Sequence, residues 1–140
     1  MVASAGTGGT DTLARDGYRV SLEPSTDRIR VVFNGETVAE SDATLLMHET
    51  RLPSVYYFPL QDVRTEFLIR NDLHTHCPFK GNASYWSLKV GDRTAENAVW
   101  AYEDPYDEAA GMDCYVAFDW SAMDAWIVGG VPAEAQTRGD

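Results

Sequence analysis

A chain of 140 residues with 44% hydrophobic and 24% charged side chains has the length and composition of one ordinary globular domain. Its formal net charge of -11 opposes phosphate backbones and anionic lipids, so we expect neither a nucleic acid polymer nor a membrane as a partner. Two cysteines and an N-terminus without an apolar leader predict a soluble, cytoplasmic protein with reduced thiols.

The two ends of the chain lack a hydrophobic period. Residues 1–16 are small, polar and rich in glycine. Such a segment cannot bury enough apolar area to offset the entropy of ordering, which predicts a flexible tail. We expect a single domain over residues 17–128 and a second flexible tail over residues 129–140.

Between the tails, short runs of apolar, β-branched and aromatic side chains alternate with turn residues, which is typical of β-strands. The strongest signal is the pair Asn34 and Gly35, which suits the type I′ turn of an antiparallel hairpin. The predicted strands, in chain order, are at residues 18–22, 28–33, 36–41, 43–49, 55–59, 73–77, 83–90, 97–103 and 114–120.

One stretch changes from the period of a strand to that of a helix. Leu60, Val63 and Phe67 recur on one helical face, which predicts one short helix near residues 60–69. The predicted fold class is therefore mainly β, with small antiparallel sheets meeting over a cleft in a β-tent-like or barrel-like arrangement.

Residues 74–86 hold the densest reactive chemistry in the chain. Pro78 predicts a tight turn that places the thiol of Cys77 and the ammonium group of Lys80 near a hairpin tip. A thiol beside His76 and near an ammonium group favours the thiolate, which makes Cys77 and Lys80 candidate catalytic residues. The alternatives are a buried structural cysteine and a solvated turn lysine.

Histidines raise the question of a metal. On a strand, His74 and His76 share one face at a Cα spacing of about 7 Å, which can chelate one ion. A zinc site needs three or four ligands, and His48, Cys114 or Glu103 would have to complete it without any diagnostic spacing. We therefore expect no metal and no other cofactor, and a His-ligated metalloenzyme is the weaker alternative.

Aromatic residues occur in adjacent pairs on the predicted strands. Strand alternation turns one member of Tyr56 and Tyr57 toward the core and the other outward, and the same holds for Tyr85 and Trp86. The outward member of each pair is the better candidate for contact with a planar ligand.

Several motifs occur in order along the chain, namely Val32-Phe33-Asn34-Gly35, Tyr57-Phe58-Pro59, Asp62-Val63-Arg64, Thr75 to Trp86, and Asn97 to Tyr102. Together they resemble the bacterial-type domain-of-unknown-function family 427, which is also labelled nucleotidyltransferase-like. The resemblance covers residues 18–126 and implies a β-tent type of fold. Zinc, which that fold often holds through two pairs of cysteines, is not implied for a chain with two cysteines in all.

These features predict a domain whose cleft, near residues 77–86, binds a small polar or anionic metabolite and leaves its chemical transformation open. The residues at family motif positions that are suited to ligand binding are Tyr57, Arg64, Lys80, Tyr85, Trp86, Asn97 and Trp100. The alternative is a non-catalytic module that contacts a protein partner, or a second copy in a homodimer, through exposed aromatic residues and the acidic residues at 103–113.

Overall fold

The computed structural model describes residues 10–11, 20–77, 80–105 and 111–133. Strands dominate this part of the chain, which confirms the prediction of a mainly β fold. The strands are β1 (Thr10–Asp11), β2 (Val20–Pro24), β3 (Ile29–Phe33), β4 (Glu36–Ser41), β5 (Leu45–Glu49), β6 (Val55–Pro59), β7 (Leu68–Cys77), β8 (Gly81–Val90), β9 (Arg93–Ala101), β10 (Tyr115–Phe118), β11 (Ala125–Val128) and β12 (Val131–Ala133).

The strands form two antiparallel sheets. The larger sheet has eight strands in the order β1-β2-β5-β6-β10-β9-β8-β7, and the smaller has four in the order β12-β11-β3-β4. Neither sheet closes on itself, so the prediction of antiparallel sheets is confirmed and its barrel-like form is not.

The hairpin between β3 and β4 forms as the sequence predicts. Asn34 and Gly35 have φ values of 51° and 80°, which the type I′ turn requires. The Asn34 side chain donates to the carbonyl oxygen of Val90 at 2.8 Å, and its backbone N–H donates to Asp124 at 2.7 Å. This turn therefore fastens the smaller sheet to the β8–β9 hairpin.

The helix predicted near residues 60–69 is replaced by two separate 3-10 turns. Val63, which lies between the turns, is extended and bridges Ala39 on β4. The next backbone N–H donates to a β4 carbonyl at 2.8 Å. Pairing with a strand thus overrides the helical period of the sequence. Separately, no helix in the described part of the chain is long and apolar enough to cross a membrane. The two turns are Leu60–Asp62 and Thr65–Phe67.

Strands also occur within both predicted tails. β1 pairs with β2, and β12 extends the ordered chain past residue 128 by pairing with β11. Gly129 and Gly130, with φ values of 61° and 83°, make the tight turn that brings β12 back. The tail predictions for residues 1–9, 12–16 and 134–140 lie outside the described part of the chain.

β7 is the outer strand of the larger sheet and contains a bulge. Arg70 pairs with Trp86 and His74 with Ser84, so three residues of β7 face one residue of β8. Within the bulge, the backbone N–H of Leu73 donates to the Asn71 side chain at 3.0 Å. The bulge bends this edge of the sheet.

Both faces of the larger sheet carry apolar clusters. One cluster lies against the smaller sheet and includes Phe58 and Phe118, whose rings meet edge to face at 5.6 Å. The second cluster includes Met47, Tyr57 and Met112, each no more than 1% exposed. Neighbouring aromatic residues point to opposite faces of the sheet, as predicted. Because both faces carry an apolar cluster, both members of each pair pack against other side chains.

Candidate functional site

A cleft of about 470 Å³ opens beside the second cluster, and six of its 14 lining residues are aromatic. We call it the aromatic cleft. Four residues predicted from the sequence line it, namely Tyr57, Lys80, Tyr85 and Trp100. Its other lining residues used below are Met47, Glu49, Tyr102, Asp119, Trp120 and Ser121.

A buried ion pair lies in the wall of the aromatic cleft. Lys80 Nζ donates to Glu49 Oε1 at 2.8 Å, and each side chain is only 9% exposed. The ammonium group also lies 5.2 Å from the centroid of the Tyr102 ring and 3.8 Å from Met47 Sδ. Because removing two charges from water is costly, each group requires the other in order to remain buried.

The ion pair sets the protonation state of Lys80. Burial by itself would lower the pKa of Lys80, but the phenols of Tyr57 and Tyr102 and the carboxylate of Glu49 outweigh burial and raise that pKa. At neutral pH the phenols are uncharged, so Glu49 is the group that retains the proton on Lys80. A protonated amine is no nucleophile, which favours an electrostatic role for Lys80 over a catalytic one.

A row of side chains on one face of the larger sheet lines the same cleft as the Lys80–Glu49 ion pair. Ala117 on β10 pairs with Tyr57 on β6 and with Trp100 on β9. The small methyl group of Ala117 leaves room for Trp100 Nε1 to donate to Tyr57 Oη at 3.1 Å. On the next strand, Tyr85 pairs with Trp100, and their ring centroids are 6.5 Å apart.

The Tyr57 hydroxyl is held in its protonated form. Burial raises the pKa of Tyr57 well above its usual value, and the nearby Lys80 offsets only part of that rise. Because Tyr57 is 1% exposed, water cannot readily replace a protein or ligand partner at this hydroxyl.

The connection after β10 forms another part of the wall. Trp120 begins a 3-10 turn and stacks on Trp126, with centroids 4.1 Å apart and planes 4° from parallel. Asp119 caps this turn by accepting from the backbone N–H of Ser121 at 3.1 Å. The stacking and the cap together orient the half-buried Trp120 ring beside the cleft.

Arg64, Asn97 and Cys77, which the sequence also proposes, do not line the aromatic cleft. Arg64 follows the bridge to β4, where it pairs with Glu66 at 2.7 Å. Asn97 is exposed and bonds to Asn71, while Cys77 is half-buried against the second cluster. The structure thus separates Arg64 and Asn97 from the cleft, whereas Cys77 packs against the cluster beside it without lining it.

Trp86 contributes to a second cleft of about 270 Å³, which we call the arginine cleft. Arg70 lies 5.0 Å from the centroid of the Trp86 ring and makes two hydrogen bonds to Glu103, at 2.7 and 3.2 Å. Hydrogen bonding from Arg70 lowers the pKa of Glu103. About half of each charged side chain is exposed to solvent.

The histidines do not assemble a metal centre with their described neighbours. His76 Nδ1 lies 2.8 Å from the Asn82 amide oxygen, and the nitrogens of His48 contact Ser54 and Glu23. Within the described ranges, no three His, Cys, Asp or Glu side chains form a group that could hold a metal ion. The metalloenzyme hypothesis therefore has no described ligand set.

Glu49 is the most important residue of the cleft that the sequence prediction missed. It lies 31 positions before Lys80, so no local motif joins the two. The alternation of β5 offered one signal, because Glu49 follows the buried Met47 by two residues and so occupies a buried-face position. A carboxylate at such a position needs a buried partner.

Comparison with known proteins identifies one family. Residues 21–129 match the family described as Domain of unknown function (DUF427). The match extends from β2 to β11 and takes in the whole wall of the aromatic cleft. No curated protein matches the chain. Because the family match covers most of the sequence and agrees with the resemblance found in its motifs, this chain belongs to the DUF427 family.

Proposed function

We propose that the protein binds a small, planar, polar but uncharged molecule in the aromatic cleft. The observation that carries this proposal is the neutralisation of Lys80 by Glu49 at 2.8 Å beside half-buried aromatic rings. The rings offer surfaces for stacking, whereas the paired ammonium group offers little uncompensated positive charge to an anion.

The size and lining of the cleft support this class of ligand. Its volume of about 470 Å³ lies within the range of roughly 300 to 1,000 Å³ that is usual for small-molecule sites. Tyr85, Trp100 and Trp120 are half-buried, so part of each ring remains available to a ligand. A few polar groups among aromatic walls are typical of sites that orient a planar molecule.

The charges around the cleft favour one part of the sequence-based hypothesis of a polar or anionic metabolite, namely an uncharged polar ligand. Arg64, the other cation among the predicted ligand-binding residues, pairs with Glu66 away from the cleft. Asp119 adds a carboxylate to the lining, and the chain carries a formal net charge of -11. An anion would meet repulsion here, so the uncharged form of the hypothesis is favoured.

Benzamide and benzoate test the proposal, because they share a planar shape and differ in charge. We expect benzamide to shift the indole N–H resonance of Trp100 in a nuclear magnetic resonance titration, and benzoate to bind at least about tenfold more weakly. Equal or tighter binding of benzoate would contradict the proposal.

A pair of matched variants tests the location. Tyr85→Leu removes a ring from the aromatic cleft, whereas Trp86→Leu removes one from the arginine cleft. We expect Tyr85→Leu to weaken benzamide binding about fivefold, the usual worth of an aromatic contact, and Trp86→Leu to leave it unchanged. If Trp86→Leu has the larger effect, the ligand binds in the arginine cleft.

A further inference from the structure

We infer that the ligand presents a hydrogen-bond acceptor in its molecular plane, and that the hydroxyl group of Tyr57 recognises this acceptor. This inference rests on the proposed function, because it concerns the same cleft. It adds the chemical feature by which one planar molecule is distinguished from another.

The inference rests on the hydrogen bonds that the Tyr57 hydroxyl makes. Trp100 Nε1 donates to Tyr57 Oη at 3.1 Å. An indole N–H can only donate, so this bond occupies a lone pair of the phenol oxygen and leaves the phenol hydrogen unused. Across the described ranges, no side chain or carbonyl group accepts that hydrogen.

The charged neighbours of Tyr57 make no hydrogen bond to its hydroxyl in the structure. Lys80, whose charge acts on the Tyr57 phenol, is itself a donor. Glu49 acts on Tyr57 through its charge, and its Oε1 accepts from Lys80 at 2.8 Å. The hydroxyl is therefore a buried donor in the wall of a cleft, where an unmade hydrogen bond costs free energy that a ligand can recover.

The direction of the aromatic row indicates which part of a ligand meets Tyr57. Tyr85 and Trp100 lie side by side on β8 and β9, and Tyr57 lies beyond Ala117 on the same face. A planar ligand that contacts the first two rings therefore directs an edge toward Tyr57. A carbonyl oxygen or an aromatic ring nitrogen satisfies the hydroxyl from that edge, and both are uncharged.

Indole and benzimidazole provide the matched probes. Both are flat bicyclic molecules with one N–H, and they differ by a single ring atom, which in benzimidazole is an in-plane nitrogen acceptor. At mildly alkaline pH both are uncharged. We expect wild-type protein to bind benzimidazole more tightly than indole in nuclear magnetic resonance titrations, by about fivefold, the worth of one neutral hydrogen bond.

The variant Tyr57→Phe removes the hydroxyl and keeps the ring. We expect it to abolish the preference for benzimidazole over indole, because neither probe then meets a hydroxyl donor. A second measurement needs no variant: in wild-type protein labelled with ¹³C at the tyrosine ζ carbons, benzimidazole should shift the Tyr57 signal and indole should not.

The possible results separate this inference from the proposed function. If neither probe binds wild-type protein and benzamide also fails to bind, the proposed function fails and the inference fails with it. If both probes bind equally well, or the Tyr57 signal responds to both alike, the inference is overturned and the proposed function stands.

Discussion

The aromatic cleft and the arginine cleft use the same components in different surroundings. Each sets a cation and a carboxylate against aromatic rings, but Lys80 and Glu49 are 9% exposed whereas Arg70 and Glu103 are 52% and 47% exposed. Water screens the second pair and is excluded from the first. An ion pair therefore marks a candidate site by its burial rather than by its presence.

Residues that line the two clefts are neighbours in the sequence, because successive side chains of a strand point to opposite faces of the sheet. Tyr85 and Trp100 line the aromatic cleft, while the residues that follow them, Trp86 and Ala101, line the arginine cleft. One pair of strands thus supplies side chains to two separate surfaces. Substitutions one position apart are therefore expected to report on different clefts.

The largest expected effect is on the buried pair. Lys80→Met leaves the Glu49 carboxylate without its 2.8 Å partner, and we expect the free energy of unfolding in urea to fall by about 3 kcal/mol. The double variant Lys80→Met with Glu49→Leu should recover much of that loss, because no unpaired charge then remains. A single variant as stable as wild type would show that Lys80 is a solvated turn lysine.

Alkaline pH should weaken the same region. Burial raises the pKa of Tyr57 and Tyr102, and the phenols with Glu49 raise that of Lys80 against the effect of burial. The unfolded chain releases these protons near pH 10.0 for tyrosine and 10.5 for lysine, before the folded protein does. The stabilisation is thus complete below about pH 10 and is lost as pH rises further.

Urea unfolding across the alkaline range measures this loss. Each proton held by the folded chain alone lowers the free energy of unfolding by about 1.4 kcal/mol per pH unit. Tyr57→Phe should make the decline shallower because one titrating group is removed. A stability profile that stays flat above pH 10 would contradict the burial of these groups.

The smallest expected effect is on the exposed pair. Arg70→Met removes the partner of Glu103, yet both groups remain hydrated, so we expect the urea midpoint to stay within experimental error of wild type. Glu103→Gln should behave likewise. A large destabilisation by either variant would remove the contrast between the two clefts.

Local sequence signals predicted the strands better than their assembly. Asn34 and Gly35 require only neighbouring residues to specify a turn, and their φ values of 51° and 80° agree with the prediction. The helical period at residues 60–69 was overridden by the bridge between Val63 and Ala39, which are distant in sequence. Periodicity cannot reveal a hydrogen bond to a strand 24 positions away.

The candidate site was predicted in part for the same reason. Lys80 was recognised from its position near a turn, but the sequence left its partner unknown, because β5 and the β7–β8 turn meet only in the folded protein. Trp86 was grouped with Tyr85 although alternation places them in different clefts. Residue types indicated the chemistry, and the strand order determined which of them act together.

The bulge in β7 bears on how copies of this protein behave toward one another. β7 is a ten-residue strand at the open side of the larger sheet, and such an edge can template the addition of strands from other molecules. At its bulge, the Leu73 N–H donates to the Asn71 side chain, and the regular row of backbone hydrogen-bonding groups is interrupted. We therefore expect the bulge to hinder the addition of strands from other copies at this edge, even though Ile69 and Leu73 are 49% and 39% exposed there.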